Sequence, residues 1–211
     1  MINWGIIGLG RMANRFASAI GEVENAKLLG IASKNIDRLN NFGDQYNIEN
    51  NFRFSTYDEI LNCKEINSIY ISTLNNTHAD IAIKAAKAKK NILCEKPVTT
   101  NYAEVLKVFE VLKKSKIFFI EAIAYRSHPQ TEFVISKIKD QSIGKIKKIE
   151  STFGFFVKKI DTKSRLFNPD LGGGAILDVG CYPVSFSCLI ANIYQKEKLS
   201  KPKFLDVSGS L

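Results

Sequence analysis

The sequence predicts an α/β protein: an N-terminal doubly wound parallel sheet followed by an incomplete α+β domain. Three observations predict it. Short apolar runs alternate with helix-length segments through the first part of the chain. The first run ends in a glycine-rich turn, Gly8-Leu9-Gly10-Arg11-Met12-Ala13. Past about residue 122 the alternation stops.

Met1–Gly8 reads as a buried strand, and Arg11–Gly21 as the helix it feeds. Ala26–Ser33 and Ile36–Tyr46 repeat the strand–helix pair, and a short strand near Phe52–Phe54 leads to a helix around Tyr57–Leu61. Ser68–Thr73 and Asn91–Cys94 are strands separated by an Ala-rich helix, Thr77–Lys90. Asn101–Lys114 is helical behind a Thr99-Thr100-Asn101 cap signal, and Ile117–Glu121 closes the half. The predicted boundary puts the dinucleotide-binding domain at 1–121 and a partial substrate or dimerisation domain at 122–211. In the second part, Pro129–Lys139 is helical, Lys145–Val157 alternates as a long strand, Gly174–Ala191 is helical, and Lys203–Ser208 is a last strand.

The 211 residues can bury a substantial core, and 45% hydrophobic with 24% charged content is that of a soluble globular chain. No apolar run approaches membrane-spanning length, and no basic leader precedes the first strand, so no membrane role is expected. Cys63, Cys94, Cys181 and Cys188 lack metal spacing, and His78 and His128 are the only histidines. Reduced thiols, a cytoplasmic location and no bound metal are the expectation. The net charge of +9 comes from scattered lysines without an aromatic-interleaved basic stripe, which argues against nucleic acid.

Gly8-Leu9-Gly10-Arg11-Met12-Ala13 matches G-x-G-x-x-A between a strand and a helix. The first glycine permits the turn, the second lets backbone approach a pyrophosphate, and the helix N-terminus faces the anion. The second strand ends in Ser33 and Lys34, where an acidic residue would grip a ribose diol; with Arg38 one turn on, the set suits a 2′-phosphate and favours NADP over NAD. Thr73, Asn75 and His78 lie in the loop after the fourth strand. Asn75 and His78 are either available to ribose and nicotinamide, or Asn76 or Thr77 is an ordinary N-cap and His78 a first-turn residue. Glu95-Lys96-Pro97 puts a lysine at the carboxyl end of a strand, where its ammonium can hydrogen-bond an oxygen whose charge changes during hydride transfer. Asp178 and Tyr182 follow three glycines and, four apart, share a helix face: a proton-transfer set, or a glycine loop with a packed tyrosine.

Together GLGRMA, the Thr73–His78 loop, EKP, the Glu121–Gln130 segment EAIAYRSHPQ and GGGAILDVGCYPV resemble the glucose–fructose oxidoreductase/inositol dehydrogenase (Gfo/Idh/MocA) family. The last two segments look most like its dihydrodiol and NADP-linked xylose dehydrogenase branch. The resemblance implies that Lys96 sits beside nicotinamide C4 and Glu95 contacts the nicotinamide ribose. It implies that Tyr182 transfers the proton, Asp178 tunes the pair, and Arg126 and His128 lie near the substrate pocket. The implied activity is hydride transfer between NADP(H) and a sugar or cyclic-diol hydroxyl carbon. A homo-oligomer is implied for full-length relatives, which are about half as long again. The shorter chain keeps open a non-catalytic NADP-dependent sensor, or an inactive fragment of such an enzyme.

Overall fold

The computed structural model describes residues 1–195. Strands and helices alternate as β1 (Ile2–Ile7), α1 (Arg11–Ile20), β2 (Ala26–Ala32), α2 (Ile36–Gln45), β3 (Arg53–Phe54), α3 (Tyr57–Asn62), β4 (Ser68–Ile71), α4 (His78–Lys87), β5 (Asn91–Cys94), α5 (Tyr102–Ser115) and β6 (Phe119–Glu121). All pairings are parallel, in the order β3-β2-β1-β4-β5-β6. The strand order reverses direction between β1 and β4, so a crevice opens there, at the carboxyl ends of the strands.

Both faces of this sheet are covered. Ile7, Ile69, Ile71, Ile92 and Cys94 pack with α3, α4 and α5 residues such as Ile60, Ala82 and Val108. Ile6, Ile31 and Tyr70 pack with Ala13, Ala17, Leu39 and Phe42 of α1 and α2. Burial on two faces is why the strands read as continuous apolar runs. Local signals set the helix starts: Asn35 caps α2, Thr56 and Glu59 form a capping box on α3, and Asn101 caps α5.

The chain divides into two compact units. The first holds Met1–Ala122 together with Lys158–Asp178; the second holds Ile123–Val157 and the chain from Val179 onward. In the second unit α6 (Pro129–Lys139) packs with α7 (Cys181–Gln195). Tyr125, Phe153, Tyr182 and Phe186 form an aromatic cluster there, with centroids 5.3–6.3 Å apart.

Three expectations are corrected. Lys145–Val157 forms no strand, because its alternation has no ladder partner among the described residues. Phe155 and Phe156 stay exposed, and the other strand expected near it, Lys203–Ser208, lies outside the described residues. The helix expected over Gly174–Ala191 begins as a π turn, Ile176–Gly180, and becomes regular only at Cys181. The run Pro169–Ile193 is long and apolar enough by composition to cross a membrane, contrary to the expectation that no run approaches that length. It is not one regular helix: Gly172 and Gly174 adopt φ of 73° and 110° and break it. The regular 15-residue α7 spans about 22 Å, against a hydrocarbon core of about 30 Å.

Lys90 follows α4 and has its ammonium buried, donating to the carbonyls of Cys63 (2.7 Å) and Ile66 (2.6 Å). Burial lowers its pKa. Lys90→Met leaves two carbonyls without a donor and should destabilise the fold by about 1–3 kcal/mol. Urea unfolding should show a lower midpoint at unchanged m; an unchanged midpoint would mean that water replaces the ammonium.

Candidate active site

The first element of the site is the β1–α1 turn. Gly8 has φ 90°, and a Cβ there would meet Thr73 Cγ2 at 2.7 Å and the Ser72 carbonyl carbon at 2.9 Å. Ser72 Oγ donates to Gly8 O (2.7 Å), tying the turn to β4. Gly10 precedes α1 with no side-chain cap, and no acid stands in the first turn. Nothing lies within 4 Å of where a Gly10 Cβ would be. Leu9 turns its side chain into the core, and the first amides of α1 have no side-chain cap at Gly10.

Beside it, Ser33 is buried at the end of β2, and its Oγ accepts from Asn35 N (3.1 Å). Asn35 Oδ1 in turn accepts from Arg38 N (2.8 Å), so the turn carrying Lys34 and Arg38 is held at both ends. Both cations are exposed, and no acidic residue occupies the end of β2.

In the loop after β4, the side chains turn to protein, with His78 a first-turn residue. His78 is 1% exposed, with Nδ1 at 2.8 Å from Pro97 O and Nε2 at 3.2 Å from Thr73 O. Both ring nitrogens lie against backbone carbonyls, and the one N–H of the neutral ring donates to one of the two, so neither nitrogen faces a ribose. Asn75 Nδ2 donates to Gly172 O (2.8 Å) rather than pointing to a ligand. Thr73 Oγ1 bonds Thr77 Oγ1 (2.7 Å). The sequence placed this loop correctly at a strand end, but side-chain direction was not legible in it.

At the end of β5, Glu95 accepts from Tyr70 Oη (2.6 Å), whose ring stacks on Phe16 at 4.3 Å. Burial and then Glu95 push the Tyr70 phenol far up. Lys96 Nζ donates to the backbone carbonyl of Asp178 and lies 3.3 Å from its Oδ1. The two side chains are only 15% and 12% exposed. Arg165 Nη1 approaches the same Oδ1 at 3.2 Å. Glu121 Oε1 accepts from Val98 N (2.9 Å), bracing the segment after Pro97.

Asp178 reaches Lys96 from the π turn Ile176–Gly180, which follows a glycine loop that folds with the first unit. Gly173 N and Gly174 N donate to Asn168 O and Leu166 O, and Asn76 Nδ2 donates to Asp170 O (2.9 Å). Sequence reasoning missed Arg165 and Tyr70 as site residues, and it used Glu121 only as the start of the EAIAYRSHPQ segment, without a role of its own. The remaining expected residues belong to the second unit. Tyr182 packs edge-on to Phe153 at 5.3 Å. Arg126 lies on a 3₁₀ turn, and His128 Nδ1 caps α6 by accepting from Gln130 N (3.1 Å). Among the described residues no cluster of three His, Cys, Asp or Glu could hold a metal.

Burial lowers the His78 pKa, although the Pro97 and Thr73 carbonyls favour the charged ring. The unfolded chain therefore binds a proton near pH 6.5 that the folded chain refuses, and stability falls as pH drops below that value. His78→Gln should flatten the part of the pH 7-to-5 stability loss that this residue causes, as read from urea midpoints. An identical pH dependence in the variant would show that His78 does not cause that loss.

Comparison with known proteins agrees with this architecture. The NAD-binding Rossmann-fold model of the GFO/IDH/MocA oxidoreductase family matches residues 2–123, and a GFO/IDH/MocA C-terminal domain model matches 134–193. A trans-1,2-dihydrobenzene-1,2-diol dehydrogenase of Xenopus tropicalis is 30% identical over 98% of the chain. A D-xylose 1-dehydrogenase (NADP(+)) of Haloferax volcanii is 29% identical over 86% of it and 55% of its own length. The chain spans 62% of the Xenopus relative's length. Among solved structures, a 3-ketoreductase from Actinomadura kijaniata in complex with TDP-benzene and NADP superposes with a TM-score of 0.75. It is 27% identical, and the match covers 90% of this chain and 56% of that one.

Proposed function

The chain belongs to the GFO/IDH/MocA oxidoreductase family, and from that membership and its site we propose that it is an NADP-dependent oxidoreductase of a sugar or cyclic-diol hydroxyl carbon. In this reading residues 1–121 hold the cofactor, and 122–211 are part of the substrate domain. The observation that carries it is the mostly buried Lys96–Asp178 pair at the carboxyl edge of a Rossmann sheet. Relatives named as a diol dehydrogenase and a xylose dehydrogenase support the substrate class. The NADP complex of the ketoreductase and the NADP(+) in the xylose enzyme's name support the cofactor.

The residues present fit a dinucleotide. Backbone N–H groups at Arg11 and Met12 would hold the pyrophosphate, with Gly10 leaving room for it. Lys34, Arg38 and Ser33 would take a 2′-phosphate, and Glu95, oriented by Tyr70, would accept from a ribose hydroxyl. When bound, the nicotinamide supplies the hydride acceptor or donor.

Lys96 carries the electrostatic part of the reaction. Its ammonium is aimed by two acceptors of one residue, the carbonyl and carboxylate of Asp178. A hydrogen bond from such a preorganised ammonium to the reacting oxygen stabilises the charge that develops there. Tyr182, four residues past Asp178, takes the proton-transfer role by resemblance, with Arg126 and His128 on the substrate side.

The purified chain should bind NADPH and reduce NADP with some member of a panel of aldoses and cyclic diols. Lys96→Met should abolish that turnover while leaving NADPH affinity within a few-fold, and near wild-type kcat would show that the lysine is not catalytic. A second reading is a non-catalytic NADP sensor on the same scaffold. Tight NADPH binding without turnover on any substrate would select it.

Gly10→Val separates binding from folding. A Cβ at Gly10 meets no protein atom within 4 Å, so unfolding midpoints should hold. NADPH affinity should fall by about tenfold or more, because the side chain enters the pyrophosphate's approach. Unchanged affinity would place the dinucleotide elsewhere.

A further inference from the structure

We propose that Tyr57 is a specificity-determining residue for the cofactor, its ring seating the Lys34 ammonium where the 2′-phosphate binds. This rests on the reading of NADP as the cofactor. Lys34 Nζ lies 5.3 Å from the centroid of the Tyr57 ring, within cation–π range. Parallel pairing explains the meeting. β2 and β3 run in register at Ile31 with Arg53 and Ala32 with Phe54, and Ser33 N donates to Phe54 O (3.2 Å). The two strands therefore deliver their following turns, Lys34 on one and Tyr57 on the other, to the same edge.

Each partner is held independently. The Thr56–Glu59 capping box fixes the start of α3, so Tyr57 opens the helix in a set position. Its ring is partly buried against the core cluster of the sheet. On the other side, the Ser33–Asn35–Arg38 hydrogen bonds fix the turn that carries Lys34. Burial pushes the Tyr57 phenol up and the charge of Arg38 pulls it back, so the second cation also lies close to this tyrosine. A free lysine samples many rotamers and loses that freedom when it binds phosphate. A ring beneath the ammonium removes part of that loss beforehand, and only a ligand that uses Lys34 gains from it.

The experiment measures NADPH and NADH dissociation constants by fluorescence titration of the full chain. Wild type is compared with Tyr57→Phe, Tyr57→Leu, Lys34→Gln and the Tyr57→Leu/Lys34→Gln double variant. Tyr57→Leu should weaken NADPH by about two- to five-fold and leave NADH unchanged. Tyr57→Phe, which keeps the ring, should leave both unchanged. In the Lys34→Gln background, Tyr57→Leu should add nothing. The proposal is overturned if Tyr57→Leu leaves NADPH affinity intact, if NADH weakens in parallel, or if Phe loses as much as Leu. Wild-type protein binding NADH at least as tightly as NADPH would instead fail the cofactor reading itself, and the role of Tyr57 with it. Because the readout is binding, the experiment discriminates these outcomes even in a chain without turnover.

Discussion

The contact between Lys96 and Asp178 is the constraint on which the rest of this site depends. Lys96 is fixed by the sheet: β5 ends at Cys94, Glu95 N donates to Ile71 O, and His78 holds the Pro97 carbonyl. Asp178 comes from a segment 82 positions later, in the π turn that follows a glycine loop. The pair joins a rigid strand end to a loop that a Rossmann domain does not otherwise need. Arg165 approaches the same carboxylate oxygen, so two cations meet Asp178 Oδ1.

The loop is held by amides, and that explains why Asn75, a candidate for the ligand by sequence, is turned away from it. Asn75 and its neighbour Asn76 donate to the carbonyls of Gly172 and Asp170. Gly172 sits at φ 73°, and a Cβ there would strike Thr100 Cγ2 and Asn75 Cβ at 2.8 and 2.9 Å. Close approach to neighbouring side chains is the reason for glycine here, and the approach is to protein rather than to substrate. The residues after β4 therefore serve the site indirectly, by holding the loop that leads to Asp178.

What the sequence showed and what it hid divide along a physical line. The six strands and five helices of the first domain were readable because burial on both faces writes apolar runs, and caps at Asn35, Thr56 and Asn101 write the helix starts. The positions of Gly8, Gly10, Lys34 and Lys96 at strand ends followed from the same alternation. Side-chain direction did not: a histidine at the start of a helix can face a crevice or a core, and His78 took the core. Pairing did not follow either. The alternation over 145–157 is real, yet a strand needs a neighbour, and none is present among the described residues. Arg165 shows a third kind of loss, since an irregular loop carries no period from which a partner could be inferred.

Energetics point the same way as the geometry. Removing an ammonium and a carboxylate from water costs several kcal/mol for each ion, and their mutual attraction offsets this only with good supporting hydrogen bonds. Lys96 and Asp178 are both mostly buried, and an apolar pair of similar volume would hold the loop to the strand at less electrostatic cost. The loop already has stability of its own from Asn75, Asn76 and its internal turn bonds. Stability alone therefore gives a weak reason for an ion pair at this place. Lys90 makes the contrast: it directly precedes β5, at the opposite end of that strand from Lys96, and its buried ammonium faces two backbone carbonyls as a structural clasp. Lys96 keeps a carboxylate and a guanidinium for company beside the crevice, which is the arrangement a reacting oxygen would use.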